Sequence, residues 1–261
     1  MAVQDPSLPL LDVRGVTVRF GGITALDGVS FAIARGAITG LIGPNGAGKT
    51  TLFNCLSRLY VPTEGSILFE GTPLEQSPAH RIAALGIGRT FQNLALFRTM
   101  SVRDNVMVGG HCRTGSGFLA NALRLPAVRR EEQRLAQQAD RLMGLLDLQG
   151  VAQRPVSDLP FGTAKRVEFA RALMSEPKLL LLDEPAGGLN HEEVDGLRQL
   201  LRRIQSELRL TILLVEHHMN LVMRVSDQVV ALDFGRKIAD GTPAQVQAHP
   251  DVVRAYLGAE A

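Results

Sequence analysis

The most informative segment of the sequence is Gly43-Pro44-Asn45-Gly46-Ala47-Gly48-Lys49-Thr50-Thr51, which lies between the apolar run Ile38–Ile42 and a helix-like segment at residues 52–56. A Gly-x-x-x-x-Gly-Lys-Ser/Thr pattern between a strand and a helix predicts a phosphate-binding loop, or P-loop. Its glycines let backbone N–H groups point at an oxyanion, and the following helix adds its positive N-terminal end. We expect Lys49 to reach the outer phosphates and Thr50 to hold Mg²⁺. The alternative is a glycine-rich turn without a ligand.

Composition bounds the class of protein. The 261 residues, 45% of them apolar, are enough for a packed core in one or two domains. A net charge of +2 does not mark a nucleic-acid binder. The longest apolar runs, at residues 179–182 and 212–215, are far shorter than the roughly 20 residues that span a bilayer.

The N-terminus and the cysteines indicate a cytoplasmic protein. Residues 1–11 lack the basic start and apolar core of a secretory signal. Cys55 and Cys112 have no Cys-x-x-Cys spacing, so reduced, buried thiols are expected rather than a disulfide framework.

The chain before the P-loop predicts antiparallel strands. Residues 11–13, 16–20 and 29–33 alternate apolar with polar residues and are separated by glycines, which predicts two or three short strands. Phe20, just before the turn Gly21-Gly22, has two interpretations. It either stacks on an adenine ring or is a core aromatic of a half-buried strand.

The middle of the chain is predicted to be helical. After a strand at residues 66–69, strand signals largely vanish between residues 73 and 160, and residues 129–148 predict one long amphipathic helix. Residues 113–126 resemble an inserted loop that leads into a short apolar piece. The charged run at residues 129–132 is interpreted as a solvated helix face, with a docking patch for a partner as the alternative.

The last third alternates helices with apolar strands. Helices are expected at residues 165–174 and 191–208, and buried strands at residues 179–182, 212–215 and 228–232. Apolar strands separated by helices predict a mainly parallel sheet that is covered on both faces and binds its ligand at the carboxyl ends of the strands. The predicted fold is therefore α/β, with a P-loop (RecA-like) core, an antiparallel β subdomain and a helical insert subdomain.

Two carboxylates follow the four leucines at residues 179–182. At this edge of the sheet, Asp183 is placed to hold Mg²⁺ through water and Glu184 to orient the attacking water. An acidic turn is the alternative, but it does not explain the leucines.

Polar residues after the strand predicted at residues 212–215 add to this site. His217 lies just beyond the carboxyl end of that strand and is placed to donate to a γ-phosphate, whereas His218 is expected to be structural. Asn190, three residues before Glu193, is a good helix N-cap, and this role is compatible with a functional one.

These motifs resemble, in their order along nearly the whole chain, the ATP-binding subunits of ABC transporters. Within that family the chain looks most similar to the branched-chain amino-acid uptake ATPases. This similarity rests on the insert at residues 113–126, the sequence of residues 186–190 and the C-terminal sequence at residues 250–258. The segments that carry the family resemblance are Gly43 to Thr51, Arg89-Thr90-Phe91-Gln92-Asn93, residues 159–163, residues 170–173, residues 179–185, Gly188-Leu189-Asn190 and His217.

The resemblance implies a role for several further residues. Phe20 becomes the adenine-stacking position, and Gln92 becomes a ligand of Mg²⁺ and water that signals to the membrane subunit. His217 becomes the switch histidine. Family members bind ATP between the P-loop of one chain and a Leu-Ser-Gly-Gly-Gln segment of a second chain, which implies contacts to the partner's ATP from Gly162, Thr163 and Asn190.

The chain departs from the family in that segment, which here is Leu159-Pro160-Phe161-Gly162-Thr163. The serine hydroxyl and the terminal glutamine are missing. A lost hydrogen bond to a charged group costs about 1.5 to 3 kcal/mol, so the site that this chain completes for its partner is expected to be the weaker one. A heterodimer with unequal sites is therefore favoured over a homodimer.

The implied activity is Mg²⁺-dependent ATP hydrolysis that drives uptake through two separate membrane permeases at the inner face of the cell membrane, with an external solute-binding protein acting indirectly. Nucleic acid is not an expected partner. The identification of the solute as a branched-chain amino acid rests on the resemblance alone. The alternatives are an ABC-type ATPase acting on nucleic acid or ribosomes, a P-loop kinase or GTPase, and a non-catalytic binding subunit.

The expected organisation is a single ABC ATPase domain at residues 8–261. Residues 8–90 and 161–240 would form the nucleotide-binding core with its β subdomain, residues 91–160 the helical subdomain, and residues 241–261 a helical tail.

Overall fold

The structure is a computed structural model that describes residues 8–90, 94–115 and 126–257. In these ranges the strands form two sheets, one of six strands and one of four. The strands are β1 (Leu11–Phe20), β2 (Ile23–Ile33), β3 (Ile38–Ile42), β4 (Glu64–Phe69), β5 (Thr72–Pro73), β6 (Ile87–Arg89), β7 (Leu179–Asp183), β8 (Thr211–Val215), β9 (Gln228–Asp233) and β10 (Arg236–Gly241).

The α-helices lie mainly between strands of the larger sheet and after it. They are α1 (Lys49–Leu56), α2 (Ile82–Leu85), α3 (Val102–Val108), α4 (Pro126–Leu145), α5 (Phe161–Leu173), α6 (His191–Leu208), α7 (Met219–Val225), α8 (Pro243–Gln247) and α9 (Pro250–Leu257). In the part of the chain that the structure describes, no helix has the length and apolar composition needed to cross a membrane.

The six-stranded sheet has the order β10-β9-β3-β8-β7-β6, and its strands are parallel except for β10, which pairs antiparallel with β9. This confirms the predicted mainly parallel core. Two of its strands, β6 and β10, were not expected from the sequence. β6 has three residues, and β10 is a polar edge strand, so neither carries the apolar run that marked the other strands.

The leucines of β7 explain how the sheet is covered on both faces. Leu180 and Leu182 pack on one side with α3, α4, α5 and α6, whereas Leu179 and Leu181 pack on the other side with α1 and the four-stranded sheet. Because successive side chains of a strand point to opposite faces, a run of four leucines is what a strand buried on both faces requires.

The four-stranded sheet has the order β2-β1-β4-β5 and is antiparallel, as predicted. Of the two or three short strands expected, the structure has two, but the expected short lengths were wrong, because β1 and β2 each run without interruption past a glycine. Gly15 and Gly28, at φ of +57° and +64°, lie where the pairing of β1 with β2 shifts register. Glycine at positive φ inside a strand indicates a bulge here, not a strand end.

The helical part is built from α3, α4 and α5, whose buried faces pack together. The long helix expected at residues 129–148 is confirmed as α4, but it begins at Pro126 and ends at Leu145. The helix expected at residues 165–174 is also longer at its start and begins at Phe161. Most of the insert predicted at residues 113–126 lies outside the described residues.

Candidate nucleotide site

The P-loop connects the end of β3 to the start of α1 and has the backbone that its glycines predict. Gly43, Gly46 and Gly48 have φ angles of +153°, +81° and +98°. A Cβ at Gly43 would lie 2.2 Å from the carbonyl oxygen of Leu232, and one at Gly48 would lie 2.7 Å from that of Ala25. Glycine is therefore required at residues 43 and 48 by close backbone approach as well as by conformation.

Lys49 lies folded into the loop that precedes it. Its side chain is buried, and its Nζ donates to the carbonyl oxygens of Gly43 at 2.5 Å and Pro44 at 2.9 Å. Burial lowers the pKa of Lys49, and the negative charges of Glu184 and Asp183 oppose this shift. The ammonium group is thus held beside the loop, within electrostatic range of the carboxylates of Asp183 and Glu184 at the end of β7.

Asp183, the last residue of β7, is paired with Arg89, for which no role was predicted. Its Oδ2 accepts from the guanidinium of Arg89 at 3.1 Å, and both side chains are only 12% exposed. Arg89 is fixed in turn by hydrogen bonds to Asn54 and Ser57 on and just after α1. Arg89 stands in the segment Arg89-Thr90-Phe91-Gln92-Asn93 that carries the family resemblance, but nothing in that segment indicates a pairing with Asp183.

The residues present fit a magnesium ion that is completed by phosphate oxygens. Among the described residues there is no group of three or more His, Cys, Asp or Glu side chains able to hold a metal ion by themselves. Mg²⁺ ordinarily takes one or two carboxylates together with substrate phosphates and water. The hydroxyl of exposed Thr50 and the carboxylate of Asp183 are donors of this kind.

Glu184 and His217 meet across the ends of two neighbouring strands. Nε2 of His217, after β8, lies 2.7 Å from Oε1 of Glu184, after β7. Glu184 has a φ of +48°, and its N–H donates to the carbonyl oxygen of Val215 at 2.9 Å. Non-glycine residues at positive φ are uncommon and often lie at functional sites.

Glu216 is a site residue that the sequence analysis did not single out. It is 2% exposed, and its carboxylate accepts from the backbone N–H groups of Ala186 at 2.5 Å, His217 at 3.0 Å and His218 at 3.3 Å. It therefore ties the turn after Glu184 to the segment that carries His217. A charged residue directly after a fully apolar strand was the signal that could have found it.

Phe20 is not a core residue: it is 45% exposed and contacts the ring of Tyr60 edge-on, with centroids 5.1 Å apart. The alternative of a core aromatic is therefore wrong. Gln92, predicted as a ligand of the metal, lies outside the described residues.

The residues expected to contact a partner's nucleotide lie together at the start of α5 and α6. Asn190 caps α6 through a reciprocal pair of hydrogen bonds with Glu193, at 3.0 Å and 2.9 Å, as predicted. Glu193 also borders α5, because a Cβ at Gly162 would lie 2.9 Å from its Oε1. Gly162 and Thr163 line a cavity of about 390 Å³ between α5 and α6.

Lys49, Asp183, Glu184 and His217 thus converge at the carboxyl ends of the parallel strands. A P-loop and paired carboxylates at the end of a neighbouring parallel strand define an α/β nucleotide-binding protein of the P-loop class.

Comparison with known proteins identifies the family. Residues 26–187 match the family model of the ABC transporter, and residues 236–261 match that of the branched-chain amino acid ATP-binding cassette transporter. The chain belongs to the ABC transporter family of ATP-binding proteins, and it is an ATPase.

Two relatives are similar over almost their whole length. The chain is 44% identical to the high-affinity branched-chain amino acid transport ATP-binding protein BraF of Pseudomonas aeruginosa and 42% identical to LivG of Escherichia coli. Both comparisons cover 97% of this chain and 99% of the relative.

Solved structures agree with the fold. The ADP conformation of MJ1267, an ATP-binding cassette of an ABC transporter, has a TM-score of 0.83 at 30% identity and covers 97% of this chain and all of that one. CbiO1 of Clostridium perfringens has a TM-score of 0.80 at 32% identity, and the comparison covers 95% of this chain and 94% of that one.

Proposed function

We propose that this chain hydrolyses Mg²⁺-ATP to drive uptake of branched-chain amino acids through separate membrane permeases. The convergence of Lys49, Asp183, Glu184 and His217 beside the P-loop carries the catalytic part of the proposal. The match of residues 236–261 and the names of the two relatives support the solute.

The P-loop holds the phosphates. Backbone N–H groups of residues 43–51 (Gly43, Pro44, Asn45, Gly46, Ala47, Gly48, Lys49, Thr50 and Thr51; Pro44 has none) surround them, and Lys49 leaves its two carbonyl partners to reach the outer phosphates. Thr50, Asp183 and Gln92 hold Mg²⁺. When bound, the ion neutralises charge on the phosphate oxygens.

Glu184 and His217 act on the side of the γ-phosphorus that faces away from the bridging oxygen of ADP. The Glu184 carboxylate orients a water whose oxygen bonds to the γ-phosphorus while the bond to the bridging oxygen of ADP breaks. The proton of that water passes to Glu184 and then to phosphate. His217 fixes the carboxylate at 2.7 Å and donates to the γ-phosphate once ATP is bound.

Phe20 stacks on the adenine ring. Its ring is exposed at the end of β1, and β2, the other strand of the hairpin, contacts the P-loop where Ala25 approaches Gly48. An exposed aromatic beside a phosphate-binding loop offers its face to a base at little cost.

The chain works in a dimer with a second ATPase chain, and a heterodimer is favoured. Gly162, Thr163 and Asn190 would contact the partner's ATP, but the segment at residues 159–163 has no serine hydroxyl. The carboxylate of Glu193 beside Gly162 also repels an incoming γ-phosphate. Both features make this half of the shared site weak.

Two variants test the unequal sites. Glu184→Gln in this chain and the matching change in its partner chain should lower the ATPase rate of the assembled transporter by different factors, and equal losses would refute the asymmetry.

Glu193→Gln tests the repulsion by the Glu193 carboxylate. It keeps the capping pattern, since glutamine also serves at this position, and removes the charge. It should strengthen ATP-driven dimerisation.

Residues 8–90 and 161–240 form the nucleotide-binding part, residues 91–160 a helical subdomain and residues 241–261 a tail. We place the chain on the cytoplasmic face of the membrane, docked on two permeases. An external solute-binding protein delivers the solute.

The decisive experiment is complementation of a strain that lacks this chain. The parent should restore uptake of radiolabelled leucine, and Glu184→Gln should not, although it assembles with the same membrane proteins. Restored uptake of urea or a short amide in place of leucine would refute the assignment of branched-chain amino acids as the solute. Copurification of ribosomes or nucleic acid without membrane proteins would refute the transport function.

A further inference from the structure

Tyr60 lies just beyond the helix that begins in the P-loop. Helix α1 starts at Lys49, and after its last turn the N–H groups of Leu59 and Tyr60 both donate to the carbonyl oxygen of Asn54, at 2.8 Å and 3.1 Å. Helix ends leave carbonyl oxygens without intrahelical partners, and these two bonds satisfy one of them. The position of Tyr60 is therefore fixed relative to the helix whose first turn borders the phosphate site.

The segment at residues 60–63 is also bonded to β1. The N–H of Thr63 donates to the carbonyl oxygen of Thr17 at 2.7 Å, and the hydroxyl of Thr63 accepts from the N–H of Arg19 at 3.1 Å. Both partners lie in β1, whose last residue is Phe20. This segment therefore connects the far end of α1 to the end of β1.

The rings of Phe20 and Tyr60 meet where these two connections end. Their centroids are 5.1 Å apart and their planes are inclined at 70°, which is the edge-to-face arrangement that aromatic pairs favour. Phe20 is 45% exposed and Tyr60 is 38% exposed. The two rings are thus ordered by their mutual contact and still have surface free for a ligand.

The chain on the other side of Phe20 gives its ring little support. Gly21 and Gly22 follow it, Gly21 has a φ of +57°, and a Cβ at either glycine would meet no atom within 4 Å. Ile23, which pairs with Phe20 across the hairpin, is 71% exposed. Glycine restrains the backbone least of all residues, so the contact with Tyr60 carries much of the restraint on the Phe20 ring.

We propose that Tyr60 is a positioning residue for the nucleobase, because it holds the ring of Phe20 at a fixed place relative to the P-loop. The inference rests on the proposed stacking of Phe20 on the base. A ring that is oriented before the ligand arrives loses less conformational freedom on binding, so its stacking contributes more to affinity. Because stacking needs the π-face of a base, Tyr60 contributes nothing to the binding of a triphosphate that has no base.

The central variant is Tyr60→Leu in the full chain, which removes the ring and keeps an apolar side chain. Calorimetric titration with Mg²⁺-ATP should give a dissociation constant about 3- to 10-fold higher than that of the parent, the factor expected for one aromatic contact. Titration with Mg²⁺ and inorganic tripolyphosphate should give the dissociation constant of the parent within about twofold, since this ligand has no base to stack.

Three further variants identify the route of the effect. Tyr60→Phe keeps the ring and should bind ATP as the parent does. Val61→Ala removes apolar surface from the same segment, at a residue that is 62% exposed, and should also bind ATP like the parent. In a chain that already carries Phe20→Leu, adding Tyr60→Leu should change the dissociation constant for ATP by less than about twofold, because residues that act through one contact are not additive.

Several outcomes would overturn the inference. They are an unchanged dissociation constant for ATP in Tyr60→Leu, an equal loss in Tyr60→Phe, and a full additional loss in the double variant. An equal rise for ATP and tripolyphosphate would also overturn it, because the effect would then act on the phosphate site or on folding. If Phe20→Leu alone binds ATP as the parent does, the proposed stacking is refuted. If Phe20→Leu weakens ATP binding and Tyr60→Leu does not, only the positioning role is refuted.

Discussion

Nε2 of His217 and Oε1 of Glu184 lie 2.7 Å apart, although 33 residues separate them in the chain. The pair is assembled by the parallel pairing of β7 with β8, which sets Asp183 opposite Val215. Each residue follows its strand by one or two positions, so the two side chains meet at one edge of the sheet. This contact makes the two side chains a unit.

The first prediction follows from that unit. Glu184→Gln should lower the ATPase rate of the assembled transporter by about 10²- to 10⁴-fold, because it removes the group that accepts the water proton. ATP should still bind and trap a closed dimer, seen as a shift in size-exclusion chromatography.

The double variant measures the coupling. His217→Ala alone should also reduce the rate, and the combination with Glu184→Gln should cost much less than the product of the two single losses, since residues that act together are not additive. Multiplicative losses would show that the 2.7 Å contact has no part in turnover.

The second prediction concerns Glu216. In Glu216→Gln one carboxylate oxygen becomes an amide that donates hydrogen bonds, and it then faces a backbone N–H group that also donates. The loss of a charge-assisted acceptor at a buried site should lower the free energy of unfolding by about 1.5 to 3 kcal/mol. Urea denaturation checks this value.

The same variant should reduce the ATPase rate more than it reduces ATP binding, because the carboxylate joins Ala186 to the segment of His217. Glu207→Gln, the same substitution at an exposed position of α6, is the control and should leave the Glu184–His217 pair in place. An ATPase rate equal to that of the parent in Glu216→Gln would contradict the assignment.

Much of the site was predictable because its motifs are local. Glycine spacing fixes the P-loop backbone, and four consecutive leucines mark a strand buried on both faces, so Lys49, Asp183 and Glu184 follow from short windows of sequence. Both ends of helix α6 were predicted correctly, because its apolar stripe is long and Asn190 with Glu193 marks its start.

What was missed depends on contacts between distant segments. The three residues of β6 form a strand only because β7 pairs with them, and the pairing of Arg89 with Asp183 joins residues 94 positions apart. No local pattern signals such contacts, since they depend on which elements the sheet order brings together.

The third prediction is a gain of stability. Gly196 lies inside α6, and a Cβ there would meet no atom within 4 Å. Gly196→Ala should therefore raise the free energy of unfolding by about 0.5 to 1 kcal/mol, which is the difference in helix propensity. Thermal denaturation of the isolated chain measures it.

Gly144→Ala in α4 is the matched control for this gain. A Cβ at Gly144 would lie 3.0 Å from Nε2 of Gln149, so the amide must move and the gain should be smaller or absent. Equal gains at both positions would show that the contact with Gln149 costs nothing.

The fourth prediction concerns the two thiols. Cys55 is fully buried in the contact between α1 and the sheets, and burial raises its pKa to about 11, whereas Cys112 is half-buried. At pH 8, one thiol per chain should therefore react rapidly with a disulfide reagent, and the second only in denaturant. Cys112→Ser should abolish the rapid phase.

The raised pKa of Cys55 also predicts a loss of stability in alkali. The native thiol keeps its proton up to about pH 11, whereas the unfolded chain releases it near the ordinary value of 9.0. Between these values the native state binds more protons, so the free energy of unfolding falls as the pH rises. Cys55→Ala lacks this titration and should lose less stability from pH 9 to pH 11. A parallel decline of the parent and the variant would mean that the thiol ionises as readily in the native chain as in the unfolded one.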